Sequence, residues 1–445
     1  TLGVVRPAEA KWTYTETNTV ASGTSKGYLT DGVWTFPAER AKNTTNLSVI
    51  AKKGSTVATE PCPIDFTSLE GYSVVEINQF SCNNGRDSNL YPARGLLTEF
   101  IAPDCAKVVG EGCFKGCESL RKVVLKENAS IAFARIFEGC SSLSELSPRT
   151  FSGGTYTSTF KDCSQLSGRI ELTEATSVSS SMFAGCTALE EVAFPRATAV
   201  YEYAFRGCSS LTNVVLSSAL TKIESYVFDG CAKLSGESVR RIMDCSFTQF
   251  GHSGGQTGGI FRNCVSITGP LVWNQPALLK NNATADSFSG CTNLEEVVFE
   301  TPVAQICGSA FFNVKRGAAL YMPAEVPDVF GSAAIVTEKA PWPKVYLKDN
   351  YDAWLEVMYA NNYHHLIRKS EFNDSSWASK HRDDITWGYI VKPTMKKDTS
   401  MCFEKADGSL GFTDKKILAF LVYDNGKGGT WILRTPKVGL SVIVR

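Results

Sequence analysis

The sequence predicts an α/β solenoid, in which repeats of similar length stack and a parallel sheet runs along one face. The first observation is a motif, F-x-[GND]-C-x-x-[LI], that begins at Phe114, Phe137, Phe160, Phe183, Phe205, Phe228, Phe261 and Phe288. The second is its spacing, with intervals of 23, 23, 23, 22, 23, 33 and 27 residues and a degenerate ninth copy at Phe311. Such regular spacing is typical of stacked repeats that bury their apolar faces against each other.

The third observation is the pattern that follows the motif. Leu120-x-x-Val123-x-Leu125 recurs as Leu189-x-x-Val192-x-Phe194 and as Leu294-x-x-Val297-x-Phe299. Alternation with period two predicts a short strand whose leucine, valine and last apolar residue point into the core. The 33-residue interval contains Glu237–Met243, whose composition predicts one or two helical turns.

The repeat defines three parts of the chain: a β-rich N-terminal capping segment at 1–100, the solenoid at 101–323 and a C-terminal domain at 341–445. The N-terminal part has short aromatic and β-branched runs, which predict strands that cover the first turn of the solenoid. The C-terminal part contains five of the eight tryptophans and predicts a small α+β or all-β domain. Turn residues at Asp424–Gly429 predict a hairpin between its flanking strands.

Eight of the fifteen cysteines occupy one slot of the repeat: Cys117, Cys140, Cys163, Cys186, Cys208, Cys231, Cys264 and Cys291. Side chains in one slot of a solenoid point in parallel, whereas a disulfide needs them turned toward each other. We therefore expect a buried column of thiols. Cys62 and Cys82 leave two interpretations open, a disulfide in an oxidising compartment or two buried thiols.

Composition and hydropathy disfavour several classes of function. Lys plus Arg and Asp plus Glu both number 45, so no net charge attracts nucleic acid. No apolar run reaches the ~20 residues that a membrane-spanning helix requires. The polar residues 1–7 do not resemble a signal peptide, so any leader or anchor is expected to lie outside this chain.

One short motif has a catalytic appearance. Gly251-His252-Ser253-Gly254-Gly255 fits G-x-S-x-G, in which a strained turn exposes a nucleophilic serine. Ser152 precedes Phe160 by eight residues, as Ser253 precedes Phe261, so the motif is expected to be a loop shared by two repeats.

The remaining histidines lack the spacing of metal ligands. They are His364, His365 and His381. We expect no catalytic, cofactor-binding or metal-binding residues.

The repeat units resemble a known family. Ile223-Glu224-Ser225-Tyr226-Val227-Phe228-Asp229-Gly230-Cys231-Ala232-Lys233-Leu234 is similar to the BspA-type leucine-rich repeat, which occurs in surface and secreted proteins of gut and oral bacteria and of some mucosal protozoa. The resemblance covers about half of the chain. It implies a leucine-rich repeat solenoid with a parallel sheet on one face, exposed at the cell surface and used for adhesion.

The outward positions of the strands are the candidate binding residues. An apolar midline is expected at Val124, Ala193, Val215, Val272 and Val298, flanked by Lys122, Glu191, Glu296 and Glu300. Two interpretations stay open: this midline is a contact surface, or small β-branched residues merely favour strands.

The sequence thus predicts a non-enzymatic, bacterial, cell-surface or secreted protein that binds a host or matrix protein through its repeat face. The alternative is a glycan-binding surface protein that uses exposed tryptophans of the C-terminal domain. Buried tryptophans in a small core are the competing interpretation there.

Overall fold

The structure is a computed structural model. The described residues are 11–19, 24–50, 61–78, 82–83, 87–88, 93–108, 111–131, 134–152, 156–251, 258–274, 286–300, 305–306, 310–311, 313–315, 318–322, 329–330, 344–347, 387–391, 402–404, 410–412, 420–424, 431–434 and 441–444. The chain forms two compact units, Thr1–Leu220 and Thr221–Arg445, which we call unit 1 and unit 2 and describe separately.

Unit 1 is built from short strands. They are β1 (Thr13–Thr19), β2 (Ser25–Thr30), β3 (Thr35–Arg40), β4 (Asn46–Ile50), β5 (Cys62–Asp65), β6 (Ser73–Asn78), β7 (Cys82–Asn83), β8 (Asp87–Ser88), β9 (Leu97–Ile101), β10 (Lys107–Val108), β11 (Lys122–Val124), β12 (Ser130–Ile131), β13 (Glu145–Ser147), β14 (Thr150–Phe151), β15 (Gly168–Leu172), β16 (Ser177–Val178), β17 (Leu189–Phe194), β18 (Ala199–Val200) and β19 (Asn213–Leu216). Two 3₁₀ turns lie at Phe66–Ser68 and Ala93–Leu96.

The strands of unit 1 form successive parallel ladders. One runs β5, β9, β11, β13, and another runs β14, β15, β17, β19. On a second sheet β4, β6, β10 and β12 are parallel, while β1 to β4 pair antiparallel. Strands from the N-terminal 100 residues therefore pair directly with those of the first repeats.

Unit 2 contains β20 (Lys222–Ile223), β21 (Gln249–Phe250), β22 (Leu271–Trp273), β23 (Glu296–Phe299), β24 (Gln305–Ile306), β25 (Ala319–Met322), β26 (Val329–Phe330), β27 (Lys344–Leu347), β28 (Trp387–Val391), β29 (Cys402–Glu404), β30 (Leu410–Phe412), β31 (Phe420–Asp424), β32 (Trp431–Arg434) and β33 (Ser441–Val444). Its largest sheet has the order β22, β23, β25, β27, β28, β31, and its first four strands are parallel. The next two pairings, β27 with β28 and β28 with β31, are antiparallel.

The described residues contain a single α-helix, α1 (Gly236–Met243), so the repeat is a β-solenoid with little α-structure. The prediction of helical turns in the longest interval is confirmed. Ser235 caps α1, because its Oγ accepts a hydrogen bond of 3.1 Å from the N–H of Ser238. Val239, Ile242 and Met243 pack into the core, which is why the inserted residues form an amphipathic helix.

The prediction of a hairpin at Asp424–Gly429 is wrong. The preceding strand β31 pairs with β28, whereas the following strand β32 pairs with β29 and β33. Turn residues permit a hairpin, but pairing depends on which strand ends are available in the sheet.

The repeat motif forms a tight turn that stacks along the solenoid. In unit 1 the rings of Phe114, Phe137, Phe160, Phe183 and Phe205 lie 5.2 to 5.7 Å apart in successive pairs. In unit 2 the ring of Phe311 stacks on Phe288 at 5.6 Å, so the ninth copy keeps the turn. All of these rings are buried, as expected from the motif.

Left-handed backbone flanks each of these rings. The residue two positions after the phenylalanine has a φ of 61 to 78° in the eight complete copies. Glycine fills this position except at Asp162 and Asn263, residue types that tolerate positive φ. Glycine is favoured in the copy that follows Asp162, because Gly185 has a φ of +78° and an added Cβ would collide with the Asp162 carboxylate unless that side chain moved.

The slot cysteines are buried thiols as expected, five in unit 1 and three in unit 2, and none of the eight is in a disulfide. Cys62, outside the column, is also buried and not in a disulfide, while the side chain of Cys82 lies outside the described residues. The thiol of Cys163 donates to the carbonyl oxygen of Phe137 at 3.1 Å, and that oxygen also accepts from the N–H of Cys140 at 3.1 Å. The same arrangement recurs at Cys140, Cys186, Cys208, Cys264 and Cys291. Each thiol therefore adds a second hydrogen bond to a buried carbonyl of the preceding repeat.

Candidate partner-binding face

The outward face of unit 1 consists of the residues that alternate with the buried ones on β9, β11, β13, β15, β17 and β19. Register places Lys122 between Glu99 and Glu145. Likewise Glu191 lies between Arg169 and Asn213. Because neighbouring strands are ~4.8 Å apart, these side chains form two short charged columns.

The charge pairs of this face are partly exposed to solvent. Lys122 Nζ lies 3.9 Å from Glu145 Oε2, and the guanidinium of Arg169 contacts both Glu191 and Glu171. Hydrogen bonding to Glu171 is the largest cause that raises the pKa of Arg169. Exposed pairs of this kind contribute only ~0–1 kcal/mol to stability. Their larger consequence is a fixed pattern of positive and negative groups on the surface.

The continuous apolar midline expected on this face is not present. Val124 lies between Ile101 and Ser147, and Val215 lies beside Ala193. Both valines are half-buried, but Ala193 is fully buried. In the register of the sheet Ala193 lies between Glu171 and Val215, which both have longer side chains. The midline is therefore interrupted by polar Ser147 and Glu171 and recessed at Ala193.

The outward residues of β23 in unit 2 are also a correction to the sequence-based expectation. Glu296 is only 7 % exposed and Val298 only 2 % exposed. All four residues of β23 are buried, so both faces of this strand are covered. Glu300, just beyond the strand, is exposed, and Val272 on β22 is half-buried. Alternation identified the inward residues but could not show that other chain segments cover the outward ones.

Sequence reasoning missed a break in the outward face between β13 and β15. In the preceding repeat the N–H of Leu125 donates to the carbonyl of Ser147 at 2.7 Å. The equivalent residue, Pro148, has no N–H and cannot make this bond. β13 has its ladder partner on one side only among the described strands, and β14 pairs with β15 instead. The signal that could have found the break is a proline at an inward strand position.

Arg149 fills this break with its side chain. Its Nη1 donates to the carbonyl of Ser167 at 2.7 Å, and its Nη2 donates to the carbonyl of Ser144 at 2.9 Å. These carbonyls belong to the segments that lead into β15 and β13. Burial lowers the pKa of Arg149 from its usual range. The guanidinium thus connects two strands that the backbone leaves unpaired.

The serine motif lies mostly outside the described residues, which include Gly251 but not 252–257. Its counterpart Ser152 is described: its Oγ donates to the carbonyl of Asn128 at 2.7 Å, and its backbone bridges to Ser130. His364, His365 and His381 also lie outside the described residues. Among the described residues no group of three or more His, Cys, Asp or Glu side chains could hold a metal ion. The described part also contains no helix suited to crossing a membrane.

Solved structures with the same kind of repeat are distant in sequence. The chain is 17 % identical to the T. pallidum leucine-rich repeat protein, with a TM-score of 0.36, covering 49 % of this chain and 95 % of that one. It is 16 % identical to a leucine-rich cell surface protein from Faecalibacterium prausnitzii A2-165, with a TM-score of 0.35 and coverage of 70 % and 95 %. The pneumococcal vaccine antigen PcpA is 10 % identical, with a TM-score of 0.31 and coverage of 78 % and 96 %.

The family of this chain is shown by a match between its sequence and a family model. No curated protein matches the chain. The family model of the BspA-type leucine-rich repeat region matches in six copies, over residues 87–198, 156–252 and 258–333. These matches span more than half of the 445 residues and coincide with the stacked phenylalanine turns. The chain belongs to the BspA-type leucine-rich repeat family.

Proposed function

We propose that this chain is a non-enzymatic cell-surface or secreted protein, used for binding or adhesion, that presents the outward face of unit 1 to a protein partner. The observation that carries the proposal is the separation of roles along β11 and β17. Val123 and Val192 are fully buried, whereas Lys122 and Glu191 keep their charges at the surface in fixed register. Membership of the repeat family supports a surface protein.

A rigid pattern of charges suits the selection of a partner. Parallel strands hold these side chains at regular spacing, and the buried columns behind them resist deformation. Complementary charges on a partner accelerate association and exclude partners with the wrong pattern. The half-buried Val124 and Val215 add apolar area between the charged columns.

The test is charge reversal on the outward face. The double variant Lys122→Glu with Glu191→Lys keeps the net charge and is screened against a panel of purified extracellular matrix and epithelial surface proteins. For a protein that binds the native chain, we expect at least a tenfold loss of affinity, which is ~1.4 kcal/mol.

The matched control is Glu174→Arg with Arg196→Glu, an exposed ion pair of unit 1 just beyond β15 and β17. This control should bind as the native chain does. Equal binding by the native chain and the outward-face variant would refute the proposed location of the contact.

The glycan-binding alternative stays a sequence prediction. The side chains of Trp387 and Trp431, on β28 and β32, lie outside the described residues, as do Trp342, Trp354 and Trp377. A glycan array probed with the full chain tests it. Binding that survives the double charge reversal and is lost in Trp431→Ala would favour the glycan-binding function.

A further inference from the structure

Among the described residues, Arg149 differs from the other arginines near it on unit 1 by having no carboxylate partner. Arg121 contacts Glu99, and Arg196 contacts Glu174. Arg169 is shared between two carboxylates. Arg149 instead donates only to the carbonyls of Ser144 and Ser167 among the described residues. It is a half-buried positive charge whose two hydrogen-bond acceptors are neutral carbonyl oxygens.

The guanidinium has donor capacity left. Arginine carries five N–H groups, of which two are used by the two carbonyls. A carboxylate is the acceptor that fits the remaining planar donors best, because it takes two parallel charge-assisted hydrogen bonds. Burial without a counter-ion disfavours the charged form of Arg149, as the direction of its pKa shift indicates. An incoming carboxylate would remove that penalty.

Arg149 lies in an open depression of about 360 Å³. The depression is lined by Arg149, Thr150, Ser167, Gly168, Arg169 and Glu171. A Cβ added to Gly168 would meet no atom within 4 Å, so the space above that residue is open. Glu171 is engaged by Arg169 at 3.1 Å, which leaves the charge of Arg149 unopposed in the lining.

We propose that this depression binds the carboxylate of an aspartate or glutamate side chain on the protein partner. The inference rests on the proposed function, since it specifies what the outward face recognises at its break. The carboxylate pairs with Arg149, and Thr150 also lines the depression. The depression is open to the surface, so a side chain of a bound protein can enter it, and the proposed function supplies that protein as the source of the carboxylate.

The experiment follows the side-chain Nε–H resonances of the full chain labelled with ¹⁵Nε-arginine. The probe is N-acetyl-L-glutamic acid α-amide, the neutral control is N-acetyl-L-glutamine amide, and glucuronic acid represents glycan carboxylates. The Arg149 resonance, assigned by its loss in Arg149→Lys, should shift saturably with the glutamate probe, at a dissociation constant on the order of tens of millimolar. The resonance of Arg196 should not shift saturably.

A second variant separates binding from folding. Thr150→Glu keeps Arg149 and its carbonyl bonds but supplies an internal carboxylate, so it should abolish the saturable shift in a folded chain. No saturable shift at Arg149, an equal shift with the glutamine amide, or binding of glucuronic acid alone would overturn the proposal. The probe titration needs no partner, so it can fail while the charge-reversal test of the proposed function succeeds, and the reverse also holds.

Discussion

The stacked phenylalanine column makes a quantitative prediction about stability. Phe160 is fully buried, and its ring stacks on Phe137 at 5.4 Å with an interplanar angle of 12° and on Phe183 at 5.2 Å with 13°. Phe160→Ala removes one ring from the middle of the column and leaves a cavity between two rigid neighbours. Deletion of a buried phenylalanine costs ~3–5 kcal/mol. We expect the upper part of that range, because two stacked pairs are lost as well.

Two further variants divide this cost. Phe160→Leu keeps most of the apolar volume but removes the stacking, so it should cost about 1 to 2 kcal/mol. Tyr156→Ala in the same turn removes an aromatic ring that is 37 % exposed, and it should cost less than about 1 kcal/mol.

The assay combines urea unfolding by circular dichroism with hydrogen exchange of peptides from residues 156–190. Hydrogen exchange is needed because a chain with two compact units need not unfold in one step. If Phe160→Ala lowers the free energy of unfolding no more than Tyr156→Ala does, the stacked phenylalanine rings do not stabilise the core as their burial and stacking predict.

Three other predictions test single contacts. Gly185→Ala should lower the free energy of unfolding by more than ~1 kcal/mol, because the φ of Gly185 is +78° and the added Cβ meets the Asp162 carboxylate. Adding the second change Asp162→Gly should recover part of this loss, as measured by thermal unfolding. Burial raises the pKa of the Cys208 thiol to about 12, above ~8.5 for an unfolded cysteine. The contribution of this thiol to stability is therefore complete below the unfolded pKa, and it declines by ~1.4 kcal/mol per pH unit as the pH rises toward 12. Cys208→Ala should reduce the slope of stability against pH by up to ~1.4 kcal/mol per pH unit in urea titrations between pH 8.5 and 10.5, while the other buried thiols with raised pKa keep the rest of the decline. An unchanged slope would contradict the assignment. Asp229→Asn weakens the bidentate pairing with Arg262, at 2.9 and 2.8 Å, and should cost ~1–3 kcal/mol in urea unfolding, because Asp229 is buried while Arg262 is partly exposed to solvent.

The buried residues of the repeats were predictable because the same motif occurs in eight copies. Each copy of the motif places a phenylalanine, a cysteine and a leucine in equivalent environments, so a single misleading residue has little effect. Leu120, Val123 and Leu125 are buried as the alternation indicates. The thiol bond to the preceding phenylalanine carbonyl was not predictable, because sequence spacing does not specify which acceptor lies beside a buried thiol.

The outward half was less predictable because exposure depends on segments far away in the sequence. Val298 follows the same alternation as Val124, yet it is buried and Val124 is only half-buried. The prediction of a hairpin at Asp424–Gly429 was wrong for a related reason. The local turn residues suit a hairpin, but β31 pairs with β28. A local sequence pattern predicts a strand and its two alternating faces. Which segments cover or pair with that strand depends on residues elsewhere in the chain.

A repeat fold can distinguish partners only where its copies differ. The phenylalanine and cysteine columns are buried and repeat with little change, so a partner does not contact them. Differences at the surface are what remain: the order of charges on β11 and β17, and the break that Pro148 makes in the ladder. At that break the side chain of Arg149 donates to the carbonyls of Ser144 and Ser167. Pro148 interrupts the ladder, and the adjacent Arg149 adds a positive charge without a carboxylate partner among the described residues, which is why we propose a recognition site at this break.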